Sequence, residues 1–201
     1  MPATQSDRIL DLAQEKQFLS AADLRARGWS PQLLIKLAQS GKLQRVNRGL
    51  YALPNGTMTG HQSLIEVCSR VPKAVVCLLS ALQFHDIGTQ LPFEVWIALP
   101  EATQTPALVS PTLRVARLRG EAYSEGIETH LEHGSPIRVY SVAKTVTDCF
   151  KFRHKVGLDV ALEALKDAWR LRKLDMAQLT HFAKINRVDK VMRPYLETVV
   201  A

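Results

Sequence analysis

Acidic residues are missing from one long stretch. Neither Asp nor Glu occurs between Asp23 and Glu66, while Arg25, Arg27, Lys36, Lys42, Arg45 and Arg48 all fall inside that window. A segment charged with a single sign repels itself, and such segregation suggests an anionic partner. Cysteine is also scarce. Cys68, Cys77 and Cys149 are an odd number without CxxC spacing, which argues against a disulfide framework or a cysteine zinc site. No apolar run approaches the length of a membrane span. The opening MPATQSDRIL lacks the basic start and apolar stretch of a signal peptide. The ten glycines are scattered, so no glycine-rich phosphate loop is present. These absences lead us to expect a reducing, cytoplasmic setting.

What is present suffices for a folded core. The chain has 201 residues, 46% of them hydrophobic, enough for one large domain or two small ones. Its net charge of +7 is unevenly spread: +4 over residues 1–60, −2 over 61–150 and +5 over 151–201. Two basic ends flank a mildly acidic middle.

Helical spacing of Ile9, Leu12 and Ala13 predicts a first helix over Gln5–Lys16. Ser20 and Asp23 have the spacing of a capping box for a second, ended by Gly28. Ser30 as N-cap, with Pro31 at the first helical position, predicts a third that Gly41 stops. Its inner face is Leu33, Leu34, Leu37 and Ala38. A short β pattern follows over Leu43–Leu53, turning at Asn47-Arg48-Gly49, where Asn and Gly tolerate positive φ. Three short helices and a basic hairpin make a winged helix-turn-helix plan. Pro54-Asn55-Gly56-Thr57 reads as a linker.

Beyond it we expect a helix near Met58–Arg70 and another over Ser80–Asp86. Strands are expected over Phe93–Leu99, Thr112–Leu118, Ile127–Leu131 and Ile137–Tyr140. Helices are expected over Val142–His154, Leu158–Leu171, Met176–Ile185 and Val188–Val200, with Ser141, Asp159 and Asp175 near their starts. The expected class is α+β. A winged helix-turn-helix domain over 1–56 precedes a mixed α/β domain over 57–201, with sheet to about 140 and helices from 141.

Packing the leucines of the third helix inward leaves Gln32, Ile35, Lys36 and Gln39 outward. Gln can bond adenine edges, and Lys can bond guanine or phosphate. The expected DNA-binding set is Ser30, Gln32, Lys36, Gln39, Lys42, Arg45, Asn47 and Arg48, with the helix in the major groove and the hairpin on the flanking backbone. Ser30 and the N–H groups after it suit a phosphate at the helix start. A second basic surface is expected from Arg170, Arg172, Lys173, Lys184, Arg187, Lys190 and Arg193.

Other constellations carry less. His130-Leu-Glu-His133 sets two histidines near an acid, but the region reads as strand and turn, where positions three apart face opposite sides. No third ligand is evident, so no metal or cofactor is expected. Asp86 and Glu94 suggest a nuclease pair without the lysine such a site needs. Cys149 reads as core rather than nucleophile. Lys144 and Asp148 form an i,i+4 pair at a capped helix start, worth a few tenths of a kcal/mol on a surface; alternatively, that start is an interaction edge.

Arg48-Gly-Leu-Tyr51 closing the winged helix, Ser80-Ala-Leu-Gln-Phe-His85, Val139-Tyr-Ser-Val-Ala-Lys-Thr-Val-Thr-Asp148 and Lys151-Phe-Arg-His-Lys155 before a helical tail resemble, in order and spacing, the AbiEi antitoxins of bacterial type IV toxin–antitoxin systems. The resemblance implies an N-terminal winged helix that binds inverted repeats in its own promoter and represses it. It implies a C-terminal domain that counters a nucleotidyltransferase-type toxin without a stable complex, and a role in phage defence. DNA-reading positions carried over would lie in Pro31–Gln39 and Gln44–Arg48. No catalytic residue is carried over, and the protein is expected not to be an enzyme. Two readings compete: a DNA-directed nuclease using Asp86, Glu94 or Asp148, and a module that sequesters the toxin, with Trp169 and Tyr195 on its contact face. No dimerisation seam is visible, so a monomer reading two half-sites and a weak dimer are both open.

Overall fold

The computed structural model describes residues 4–16, 18–47, 49–54, 61–106, 108, 110–132 and 134–200. The chain divides into two compact units: Met1–Pro72 with Leu131–Ile137, and Lys73–His130 with Arg138–Ala201. The expected domain boundary, between Gly56 and Thr57, lies outside the described residues, as does most of the expected linker.

In the first unit, α1 (Gln5–Glu15) starts at a capping box in which Thr4 and Asp7 exchange hydrogen bonds. A two-residue strand, β1 (Leu19–Ser20), leads into α2 (Ala21–Arg25). Here the expected box is present: the Ser20 hydroxyl accepts from the Asp23 N–H, and the Asp23 carboxylate accepts from the Ser20 N–H at 2.9 Å. α2 gives way at Ala26, before Gly28, whose φ of +70° lies in the turn that follows. α3 (Gln32–Gln39) begins one residue later than expected. Pro31 is its N-cap, with no side-chain cap bond. Ser30 contributes its carbonyl instead, accepting from Leu33 at 3.2 Å, so the entry is a tight turn around proline rather than a hydroxyl cap.

β2 (Gln44–Asn47) and β3 (Leu50–Ala52) form the hairpin, and β1 pairs with the other edge of β3 to give a sheet of order β1-β3-β2. Ile9, Leu12, Leu19, Leu24, Leu34, Leu37, Leu43 and Tyr51 close one core across these elements. α4 (Gln62–Arg70) ends the main segment of this unit.

The second fold element group is a five-stranded sheet with helices. β4 (Val75–Val76), β5 (Val95–Pro100), β6 (Leu113–Leu118), β7 (Ile127–Glu132) and β8 (Ser135–Tyr140) lie in the order β6-β5-β4-β8-β7. β4 runs antiparallel to β5 and parallel to β8, while β5 and β6 are parallel. β5 starts two residues later than expected and leaves Phe93 exposed. Helices α5 (Leu78–Phe84) and the short α6 (Glu121–Ser124), absent from the sequence reading, lie between strands.

The expected Val142–His154 helix is two pieces, α7 (Val142–Lys151) and α8 (Arg153–Val156), parted at Phe152 with φ −98° and ψ 19°. α9 (Leu158–Arg170), α10 (Met176–Asn186) and α11 (Asp189–Val200) complete the tail. Asp175 caps α10, accepting from the N–H groups of Ala177 and Gln178.

α7 is the centre of this unit. Every residue from Ala143 to Phe150 is buried, including Lys144, Thr145, Thr147 and Asp148. The expected surface pair is therefore an interior one, and the helix start is not an exposed edge. Each polar group along it has an internal partner. Lys144 Nζ lies 2.5 and 2.6 Å from the two Asp148 carboxylate oxygens and 4.3 Å from the centre of the Tyr140 ring. Thr145 donates to the Tyr140 carbonyl at 3.1 Å, and Thr147 to the Lys144 carbonyl at 2.9 Å.

Candidate nucleic-acid interface

α3 projects two faces of opposite character. Leu34 and Leu37 are buried and Leu33 and Ala38 half-buried, as the leucine spacing predicts. Gln32, Ile35, Lys36 and Gln39 are exposed together, at the i, i+3, i+4, i+7 spacing of one helix face. Ile35 is 51% exposed in the middle of that face. An apolar side chain flanked by amides and an ammonium matches the mixed chemistry of a base edge, where thymine presents a methyl beside hydrogen-bonding groups.

Helix α3 then stops cleanly. The N–H groups of Lys42 and Leu43 both return to the Leu37 carbonyl, at 3.0 and 3.1 Å, and Gly41 takes the positive φ of the stop. This places Lys42 just past the exposed face and delivers the chain into β2. Ser30, Lys42 and Arg45 are exposed, Arg45 on β2 opposite Tyr51. Asn47 ends β2, with its register to β3 shifted between Arg45 and Asn47. Arg48 lies outside the described residues.

Asp7 and Asp23 of this unit are committed to structure. Lys16 Nζ reaches Asp23 at 2.6 Å. Burial works against the Asp23 charge, but hydrogen bonds from Lys16 and Ser20 prevail and hold its carboxyl below the usual range. Asp7 is lowered chiefly by the Thr4 side chain and backbone, with a smaller contribution from the Lys42 charge. Lys36 has no carboxylate within ion-pair distance among the described residues. The window's positive potential is thus left largely uncompensated along α3.

The residues of the expected second surface are all exposed, but they do not line one groove. Arg170 and Arg172 flank a depression with Trp169 and Leu174. Lys190 and Arg193 flank another, and Arg187 belongs to a third. Two have internal partners: Arg170 bonds Asp167 at 2.9 Å, and Lys173 donates to the His85 carbonyl at 2.5 Å. Lys184 is exposed on α10. Asp86 is exposed, whereas other groups weighed for catalysis or metal binding are engaged. Glu94 takes the Arg114 guanidinium at 2.5 Å, His130 meets Glu128 at 3.1 Å, and His133 lies outside the described residues. Cys149 is fully buried, and burial pushes its thiol pKa far up, as befits a core residue.

Residues 7–54 match the model of a family described as "Transcriptional regulator, AbiEi antitoxin". This N-terminal segment is similar to the AbiEi antitoxin regulators. The match spans α1 through the hairpin, so the exposed face of α3 lies wholly within it. Among solved structures, the crystal structure of the RV2827C protein from Mycobacterium tuberculosis is similar, with a TM-score of 0.58. The likeness covers 89% of this chain and 71% of that one at 15% identity, which shows a shared fold. No curated protein matches the chain. Among the described residues no helix is long and apolar enough to cross a membrane.

The other motifs of the AbiEi resemblance turn out to be structural ties. Ser80 Oγ accepts from the Trp96 N–H at 2.9 Å, and His85 Nε2 bonds the Tyr140 carbonyl at 2.7 Å. Tyr140 in turn donates its hydroxyl to the Tyr123 carbonyl at 2.8 Å. One polar residue escaped the sequence reading altogether. Asn186, 4% exposed, donates to Asp148 at 2.7 Å and Thr147 at 3.0 Å. Its carbonyl oxygen accepts from Lys151 at 3.2 Å. No local pattern marks Asn186, because its partners are 35 to 39 residues away.

Proposed function

We propose that this protein is a cytoplasmic, promoter-binding antitoxin that represses its own operon. Residues 1–56 act as the DNA-reading domain and 57–201 as the antitoxin domain. α3 enters the major groove, where Gln32, Lys36 and Gln39 meet base edges. Ser30, Lys42, Arg45, Asn47 and Arg48 hold the flanking phosphates. The single observation that carries this reading is the exposed, acid-free face of α3 inside the AbiEi-matching segment.

The partner is double-stranded DNA bearing inverted repeats, read by a monomer on each half-site or by a weak dimer. The basic residues Arg170, Arg172, Lys173, Lys184, Arg187, Lys190 and Arg193 add non-specific phosphate attraction. Toxicity of a nucleotidyltransferase-type partner is countered without a stable complex, as part of phage defence, and no enzymatic step is assigned to this chain. Footprinting of the full-length protein on the DNA upstream of its own gene tests the repressor half. A protected inverted repeat, with reporter expression reduced only when that repeat is intact, is the expected result. Uniform protection or none overturns it. Co-expression with the adjacent toxin tests the other half: rescue of growth without co-purification is expected, and a stable complex would favour sequestration.

A further inference from the structure

We infer that the second unit holds a phosphate-binding site formed by Arg119, Lys151 and Arg187 around the buried amide of Asn186. The site goes beyond the DNA-reading role of α3 and does not rest on it. These residues line a depression of about 570 Å³ together with Glu121 and Ile185. The three cations arrive from three places: the end of β6, the last residue of α7 and the C-cap of α10.

Two features separate this cluster from an ordinary solvated surface. First, none of the three cations is tied up in an ion pair among the described residues. Arg114, Lys144 and Arg170 in the same unit each meet a carboxylate, whereas Arg119, Lys151 and Arg187 have none within ion-pair distance among the described residues. They also feel one another. Burial lowers the Lys151 pKa first; Asp148 opposes this, and the charges of Lys144, Arg119 and Arg187 lower it further.

Second, the central lysine is held in place by a fixed scaffold. A carboxylate only accepts, so Asn186 must turn its NH₂ to Asp148, which leaves its carbonyl for Lys151. Asp148 is itself locked by Lys144. The buried pair thus orients the amide, and the amide orients Lys151 toward the depression.

Two guanidiniums and an ammonium around one hollow suit a tetrahedral dianion, which takes forked and single donors together. The volume exceeds that of one phosphate and falls in the range of small-ligand pockets, roughly 300–1,000 Å³. Ile185 offers an apolar wall for the rest of a phosphorylated small molecule. The shared chemistry is the phosphate group, and its source is either a nucleotide or a nucleic-acid backbone.

Calorimetric titration of the full-length protein at fixed ionic strength tests this, with pyrophosphate, a nucleoside triphosphate and a short random-sequence duplex as separate probes. Arg119→Ala removes an exposed cation, Arg187→Asn keeps a residue that tolerates left-handed backbone, and Lys166→Ala removes an exposed cation outside the depression. The expected result is saturable binding of pyrophosphate or the nucleotide, weakened about tenfold or more by Arg119→Ala and by Arg187→Asn but not by Lys166→Ala. If only the duplex binds, and the same two variants alone weaken it, the site stands with the backbone as its source. No binding of any probe, or equal weakening by all three variants, overturns the proposal.

Discussion

The Lys144 ammonium lies 2.5 and 2.6 Å from the carboxylate oxygens of Asp148, and the two side chains are 0% and 1% exposed. An isolated charge at that depth is costly, so each is tolerated only because of the other. Removing one partner strands the second. Asp148→Leu or Lys144→Met is expected to destabilise the second unit by about 3–5 kcal/mol. Replacing both, as Lys144→Met with Asp148→Leu, should recover a large part of that loss. Urea unfolding of the four proteins checks this; losses in the double variant equal to the sum of the singles would contradict a coupled pair.

In the first unit, acid should loosen the entry to α2. Asp23 has a folded pKa below its ordinary 3.8, the net of burial against hydrogen bonds from Lys16 and Ser20. A depressed carboxyl contributes stability that is fully present above the unfolded value and lost as pH falls through the folded one. Asp23→Ala should cost about 1 kcal/mol at neutral pH, as capping losses do, and should flatten this unit's stability between pH 5 and the acid limit. Thermal unfolding across that range measures both.

His85 gives the second unit a dependence at higher pH. Burial lowers its pKa from the ordinary 6.5, although the Tyr140 carbonyl, accepting its hydrogen bond, works the other way. The unfolded chain therefore takes up a proton more readily than the folded one. Stability is fully present above about pH 6.5 and declines as pH falls through the lowered value. NMR titration of the His85 ring should give a midpoint below that of an exposed histidine; a midpoint at or above 6.5 would contradict the burial argument.

The cysteines should differ in reactivity. Cys77 and Cys149 are buried, and burial is the first cause raising both thiols. Cys68 is half-buried. In native protein a thiol reagent should label Cys68 well before the others, with all three reacting in denaturant. Mass spectrometry of the labelled peptides reads the order.

Legibility in the sequence followed the range of the interactions. The capping box at Ser20 and Asp23, the leucine face of α3 and the stop at Gly41 rest on contacts a few residues apart, and each was readable. The α3 entry was misread by one residue because Pro31 supports a tight turn that needs no serine cap. α7 was misread in kind. Its polar residues look like a solvent face when taken locally, yet Asp148 is bonded by Asn186, 38 residues on, and Lys144 packs on Tyr140. Arg119, Lys151 and Arg187 likewise converge only through the fold. Sequence spacing sees helix neighbours, not partners brought together by packing α10 on α7.

The most direct test of the central claim is fluorescence anisotropy of full-length protein on its upstream DNA and on a shuffled duplex, at low and physiological salt, with Lys36→Ala and Gln32→Ala beside the parent. The account predicts selective binding that survives physiological salt. Gln32→Ala and Lys36→Ala should each lose roughly 1–3 kcal/mol of discrimination between the two duplexes. Equal, salt-labile binding to both duplexes, unchanged in the variants, would contradict α3 as the reading helix.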